Sequence, residues 1–388
     1  MVNHKDRIKV LYILHSTIMG GATIVLLNLL KELTVRDCVK PVIVVPDGGN
    51  DHFKEKISEL GIKMYVAPIV SSVYPFCLGS FQMTQSIAYL RKIHGMVVMK
   101  RKSLLALQEI VEKECPDIIH TNTGIVQEGF FCAQKNHIPH IWHIREYQRK
   151  NFNWIPFPSF RQLKSLLRQS NVITITDDLT GEYDLLGYDC RKTIYDGVFH
   201  KAETHLDYPK EKFFLCASRV SAEKNIKDVV LAFASFYQEI KDYNLVILGF
   251  GPEAYKRELV EISEKYNCKD AILFKGYVSN VQDYMRKASA LIVASNYEGF
   301  GLMTAEAAFS GCLVIGRNTG GTKEILKETG GLLFYSTAEL QERMHEVIRM
   351  SDAEYKSITK KAQEKAVGLF SIEHSADAVS EMYRQVLT

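Results

Sequence analysis

Short apolar runs and longer amphipathic stretches take turns along almost the whole chain. In the first half the strand-like runs fall at 8–14, 41–45, 63–66, 117–121, 140–143 and 172–175, with helical periods between them at 22–33 and 103–114. The second half repeats the scheme at 213–217, 245–248, 272–274, 290–294, 313–315 and 332–334. Its clearest helix is 225–241, where Ile226, Val229, Val230, Phe233, Phe236, Tyr237 and Ile240 recur at three- to four-residue steps and define one apolar face. Strands that are apolar at nearly every position are buried on both faces. Alternated with helices, they predict an α/β protein with doubly wound parallel sheets.

The stretch 196–212 has no period, carries Gly and Pro, and separates two strand signals, so it marks a boundary. The predicted organisation is one domain over 1–200, a second over 201–370, and a final amphipathic helix in 371–388 that returns to the first domain. Length agrees, since 388 residues exceed what one core of about 100–200 residues serves. Ligands of such sheets sit beyond the carboxyl ends of the strands.

Composition excludes several classes. Apolar residues make up 46% and charged residues 24%, which is neither disordered, collagenous nor coiled-coil in balance. No apolar run approaches the ~18 residues of a membrane-spanning helix, and the first residues run into a strand without a signal-peptide pattern. Eight cysteines (38, 77, 115, 132, 190, 216, 268, 312) are scattered without a Cys-x-x-Cys, as expected of reduced, mostly buried thiols in a cytosolic protein. The net charge of +3 is uneven: residues 1–200 hold 24 Lys and Arg against 19 Asp and Glu.

Three loops carry candidate chemistry. His15-Ser16-Thr17-Ile18-Met19-Gly20-Gly21-Ala22 puts two glycines before a helix start, which reads either as a tight turn or as an anion site on free amides. Gly249-Phe250-Gly251 follows a strand but has Ala254 where a dinucleotide loop has its third glycine, so it reads as a strand-to-helix turn. The third loop, Ser295-Asn296-Tyr297-Glu298-Gly299-Phe300-Gly301-Leu302, leads into a helix whose Ala305, Ala307, Ala308 and Phe309 look buried. Glu306 in that company is costly unless it meets a partner, and a carboxylate suits a vicinal diol such as ribose because it accepts two hydrogen bonds.

The Glu-x7-Glu pair Glu298/Glu306 is followed by Gly-Cys-Leu-Val-Ile-Gly from Gly311 and Thr-Gly-Gly-Thr-Lys-Glu-Ile-Leu from Thr319. Together these resemble family 4 of the retaining glycosyltransferases. Ser218-Arg219-Val220-Ser221-Ala222-Glu223-Lys224-Asn225, Leu248-Gly249-Phe250-Gly251-Pro252 and Phe274-Lys275-Gly276-Tyr277-Val278 support the likeness. The resemblance implies the GT-B fold, two Rossmann-like domains facing a cleft, with the first on the acceptor side and the second binding a nucleotide sugar.

It also implies roles. Arg219 and Lys224 would clamp the donor diphosphate, where charge grows as the nucleoside diphosphate departs. Glu298 and the amides of Gly299, Phe300, Gly301 and Leu302 would hold sugar and phosphate, Glu306 the ribose, and Val278 the base. Gly20 and Gly21 would approach from the first domain, and His143 would meet the donor sugar near the reacting centre. Thr23 stands where the family often carries a Glu, which puts that Glu's sugar or acceptor contacts in doubt. Asp177-Asp178 reads as a helix cap rather than a metal motif, so neither metal nor cofactor is expected.

The expected partners are a nucleoside-diphosphate sugar and a sugar, lipid-linked or protein-linked acceptor, in polysaccharide or glycan assembly. Two basic-aromatic stretches, 91–102 and 145–168, suit an anionic bilayer surface or read as solvated faces over core aromatics. The low overall charge argues against nucleic acid. The alternatives to a glycosyltransferase are a nucleotide-sugar epimerase on the same fold and a non-catalytic transferase partner.

Overall fold

The computed structural model describes residues 7–75, 83–204 and 209–388, with backbone alone at 83–89 and 92. The first six residues, Cys77 and positions 205–208 of the boundary stretch lie outside the described residues. Contacts divide the chain into two units, Met1–Gly197 with Ser375–Thr388, and Val198–His374.

The first unit is built on seven parallel strands in the order Lys63–Val66, Val39–Val45, Ile8–Ile13, Ile118–Thr121, His140–Ile144, Asn171–Thr174, Arg191–Thr193. Alternate residues of its central strand face opposite layers. Val10 and Tyr12 pack with Leu26, Leu30 and Phe53 and with Val379 and Tyr383 of the last helix, Ile372–Leu387. Leu11 and Ile13 pack with Leu107, Ile110 and Val111 of the helix Met83–Glu114, and with Cys132 and Ala133. Each aliphatic side chain buried this way contributes roughly 1.5–3 kcal/mol relative to exposure, and both faces are covered.

The second unit repeats the design with six parallel strands in the order Ile272–Gly276, Asn244–Leu248, Phe213–Ala217, Ala290–Val293, Val314–Arg317, Leu332–Phe334. Phe214 and Cys216 meet the apolar face of Ile226–Glu239, while Phe213, Leu215 and Ala217 meet Met285, Ala307 and Leu326 on the other side. In both sheets the strand order reverses beside the first strand of the unit. That reversal opens the crevice where doubly wound sheets take ligands.

Several elements depart from the sequence expectation. The helix expected at 103–114 runs from Met83 to Glu114, 32 residues, because nothing in 91–102 breaks it: there is no proline, and Gly95 is tolerated inside a helix. The edge strand Arg191–Thr193 and the antiparallel pair Val73–Pro75 with Trp154–Pro156 are three residues each, too short to show a period. Asp177 and Asp178 lie in the first turn of their helix, and it is Thr176 whose side chain accepts the Leu179 amide as the cap. Seven described cysteines are free: Cys132, Cys216, Cys268 and Cys312 are buried, whereas Cys115 and Cys190 are exposed.

Candidate active site

In the second unit, the two loops beside the strand reversal follow Phe213–Ala217 and Ala290–Val293. The first loop carries Arg219 and Lys224, the second Glu298, so the three charges expected from the sequence emerge at the ligand-binding edge of the sheet. Lys224 Nζ donates to Glu298 Oε1 at 2.5 Å, and both side chains are about one-fifth exposed. Arg219 is two-thirds exposed and forms a loose ion pair with Glu223 at 3.7 Å. Lys224 is therefore held in place, while Arg219 reaches into solvent.

Backbone requirements fix these loops. Asn225 follows Lys224 in the left-handed region at φ 51°, a conformation Asn tolerates, and its Nδ2 donates to Asn296 Oδ1 at 2.6 Å. Gly301 precedes the helix Leu302–Phe309 at φ 98°. Gly321, in the first turn of Gly320–Thr329, donates its amide to Glu298 O at 2.9 Å. A Cβ on Gly321 would lie 2.0 Å from the Phe300 carbonyl oxygen, so only glycine lets the two backbones meet. The Thr-Gly-Gly-Thr motif thus braces the loop that holds Glu298.

Gly249 and Gly251 serve the neighbouring loop in the same way. A Cβ at either would fall within 2 Å of the Ser218 or Val220 carbonyl oxygen, and Val220 donates its amide to Phe250 O at 2.8 Å. The turn reading of Gly249-Phe250-Gly251 fits this geometry, and the turn positions the loop that carries Arg219. Val278 is half-buried beyond the end of Ile272–Gly276 and packs on the Met285 side of the core. Tyr277 and Phe250, both 70% exposed, stack with ring centroids 6.1 Å apart.

Glu306 lies one turn into Leu302–Phe309, between the buried Ala305 and Ala307. Its half-buried carboxylate forms no hydrogen bond or ion pair with the described residues, and burial pushes its pKa up to about 7. A carboxylate so placed has both oxygens open to an incoming donor.

In the first unit, Gly20 caps the helix Gly21–Val35 with φ −95°, and nothing lies within 4 Å of where its Cβ would be. Neither strain nor crowding within the chain requires glycine there. The hydroxyl of Thr23 is occupied, donating to Ile18 O at 2.8 Å. His143, near the end of His140–Ile144, is 2% exposed, and its Nε2 has no hydrogen-bond partner among the described residues. Burial first, then the Arg145 charge and His120, holds its imidazole well below the ordinary histidine range. Arg145 Nη1 in turn grips both carboxylate oxygens of Asp196, at 2.7 and 2.8 Å.

Three contributors carry no local sequence signal. Arg317 donates to Ala294 O at 2.9 Å and pairs with Asp228, tying the base of the Glu298 loop to the helix that follows Lys224. Its partner is 89 positions away. Asn296 accepts from Asn225 Nδ2 and donates its backbone amide to Glu223 O at 3.5 Å. Gln148 is 1% exposed, and neither side-chain amide atom has a partner among the described residues, a feature only the folded chain reveals.

The basic-aromatic stretch 145–168 is largely engaged internally. Arg145 pairs with Asp196, Lys150 with Glu182 and Lys164 with Asp184, while Arg168 lies over the Tyr188 ring and Phe152 stacks on Trp154. In 91–102, Lys100 turns inward to Ser72 Oγ and Gln127 Oε1. These contacts remove much of the free basic face that attraction to an anionic bilayer requires. Among the described residues, no helix is long and apolar enough to cross a membrane.

Each unit is a doubly wound α/β sheet, and the second carries paired charges at its strand reversal, which places the chain in the Rossmann-like α/β class. Comparison with known proteins narrows it. Residues 200–365 match the family described as glycosyl transferases group 1. The chain is similar to N-acetyl-alpha-D-glucosaminyl L-malate synthase of Bacillus anthracis, 32% identical over 124 residues, which are 31% of this chain and 32% of that protein. It is also similar to the lipopolysaccharide core biosynthesis mannosyltransferase LpsB of Rhizobium meliloti, 26% identical over 253 residues, 62% of this chain and 70% of LpsB. The match thus spans about a third of the first relative.

Among solved structures, Anabaena Alr3699/HepE in complex with UDP and glucose superposes with a TM-score of 0.73, covering 98% of this chain and 100% of that one at 18% identity. At that identity the likeness speaks to fold, and the fold is GT-B with two Rossmann-like units.

Proposed function

We propose that this chain is a retaining, metal-independent glycosyltransferase that moves a sugar from a nucleoside-diphosphate sugar to an acceptor hydroxyl in polysaccharide, lipopolysaccharide or glycolipid synthesis. The observation that carries the reading is the Lys224–Glu298 pair at the strand reversal, inside the segment that matches the glycosyl transferases group 1 family. The names of the relatives, all of them sugar-transferring enzymes or synthases of glycosides, support the same class.

In this reading the second unit binds the donor. Lys224 and Arg219 neutralise the diphosphate, with Lys224 preorganised by Glu298 and Arg219 free to swing from solvent onto the phosphates. Glu298 keeps its second oxygen for a sugar hydroxyl, the amides of Gly299, Phe300, Gly301 and Leu302 take phosphate and sugar oxygens, Glu306 takes the ribose diol, and Val278 lies by the base. The first unit serves the acceptor, with the open space at Gly20, together with Gly21, left for ligand atoms, and His143 for the donor sugar.

The bond from the anomeric carbon to the diphosphate oxygen breaks as the acceptor oxygen bonds the same face of that carbon. The acceptor proton passes to the departing phosphate oxygen, so no side chain needs to serve as base. Lys224, held in place, and Arg219, once swung onto the phosphates, stabilise this charge build-up more than the ground state.

The test is a thermal-shift screen with uridine, guanosine, adenosine and thymidine diphosphates on the native chain and on Lys224→Ala. One diphosphate should raise Tm by a few degrees, as a ligand well above its Kd does. Lys224→Ala should lose that shift and slow transfer on the order of 10²-fold. Absence of stabilisation by all four at millimolar concentration overturns the reading. Epimerised donor recovered from an acceptor-free incubation would replace transfer with epimerisation.

A further inference from the structure

One line of hydrogen bonds in the first unit has a direction that the side chains themselves determine. It runs through buried groups: Tyr12 Oη to Tyr383 Oη at 2.7 Å, Tyr383 Oη to His120 Nδ1 at 2.8 Å, and His120 Nε2 to His143 Nδ1 at 3.2 Å. Arg145 Nη2 also reaches His143 Nδ1, at 3.5 Å. Arg145 cannot turn away, because its Nη1 holds Asp196 and its Nε donates to Asn122 Oδ1 at 2.8 Å.

A guanidinium only donates, so His143 Nδ1 must present a lone pair. The same lone pair faces His120 Nε2, which must then carry a hydrogen. Neutral His120 consequently has a bare Nδ1, which Tyr383 satisfies by donating its hydroxyl, and Tyr12 donates to Tyr383. Reversing any single link would point two hydrogens or two lone pairs at each other among buried groups. With Nδ1 bare, the proton of neutral His143 sits on Nε2. That is the buried atom without a partner.

We infer that His143 acts as a neutral hydrogen-bond donor through Nε2–H to an oxygen of the bound ligand, and that Arg145 is the positioning residue that fixes this tautomer, with His120 and Tyr383 ordered in turn by it. The inference rests on the proposed function only for naming that oxygen as a sugar hydroxyl; the tautomer follows from the hydrogen-bond directions alone. It also accounts for Tyr383 of the last helix, fully buried in the first unit, as the donor that satisfies the bare His120 Nδ1. An imidazole held this way donates rather than accepts at Nε2, so it steers a hydroxyl without deprotonating it.

The experiment is long-range proton–nitrogen NMR on full-length protein labelled with 15N-histidine, with the His143 signals assigned by their disappearance in His143→Gln. The native chain should show a protonated Nε2 and a bare Nδ1 at His143. Arg145→Met, made together with Asp196→Asn so that no charge is left buried alone, removes the guanidinium donor and should shift both His143 nitrogens toward intermediate, tautomer-averaged values. Tyr12→Phe and Tyr383→Phe delete buried hydroxyls but leave Arg145 in place, and should keep the native pattern.

A His143 protonated on Nδ1, or an unchanged pattern in the Arg145→Met/Asp196→Asn chain, overturns the inference. If that chain does not fold, the native spectrum still decides the tautomer. None of these spectra requires transferase activity, so failure of the proposed function leaves the outcome readable. With donor sugar added, protection of the Nε2–H from exchange should increase in the native chain.

Discussion

Glu306 is the residue whose chemistry is most exposed to pH. Burial raises its carboxyl to about 7, so between the unfolded value near 4.5 and that folded value the native state holds a proton that the unfolded chain has released. Stability linked to Glu306 is therefore fully present below the lower value and is lost as pH rises through the window, by about 3 kcal/mol at most. Glu306→Gln keeps the shape without the charge. Its Tm should exceed that of the native chain at pH 8 and match it at pH 5 in scanning calorimetry, while nucleoside-diphosphate affinity drops for want of an ionised diol acceptor. Equal Tm differences at both pH values would show that burial of this charge costs nothing. The native chain keeps a carboxylate at that stability cost, which is what a ligand-facing group would do.

At the scale of elements, glycines decide how closely the loops beside the strand reversal pack. Gly321→Ala would place a Cβ against the Phe300 carbonyl, which as backbone cannot swing aside. We expect a loss of roughly 1–3 kcal/mol, the usual cost of overpacking, measured by urea unfolding, together with weaker nucleoside-diphosphate binding because the Glu298 loop is displaced. Most strands and the clearest helices were legible in the sequence because a buried parallel strand leaves an unbroken apolar run: 213–217 coincides with Phe213–Ala217, buried at all five positions. Arg191–Thr193 was not, since Arg-Lys-Thr holds no apolar run, and neither were Val73–Pro75 and Trp154–Pro156, which end on proline. The charge pair Lys224–Glu298 was legible through motif spacing, but Arg317, Asn296 and Gln148 were not. Each acts through a partner or an emptiness that exists only once distant segments meet. The membrane reading of 145–168 illustrates the converse, because a cation count cannot register that Arg145 lies buried on Asp196.

At the scale of the whole molecule, the chain enters the second unit at Val198 and leaves it at His374, after which Ser375–Thr388 belongs to the first. Within the second unit, the entering and leaving segments are joined where Val198 donates to Phe370 O at 2.8 Å and Ile372 donates to Phe199 O at 2.9 Å. Ala376, Val379, Met382 and Tyr383 then fill the layer over Val10 and Tyr12. Ending the chain at His374 should uncover that layer. The expected outcome is loss of the first unit's cooperative unfolding transition in calorimetry, with a transition from the second unit retained. Two intact transitions would show that the helix is dispensable. This layout also sets a schedule for the ribosome. The segment that seals the earlier-made core leaves the exit tunnel only after the whole second unit, so the nascent amino-terminal half must wait, with its Tyr12 side uncovered, until every codon of the intervening half has been read.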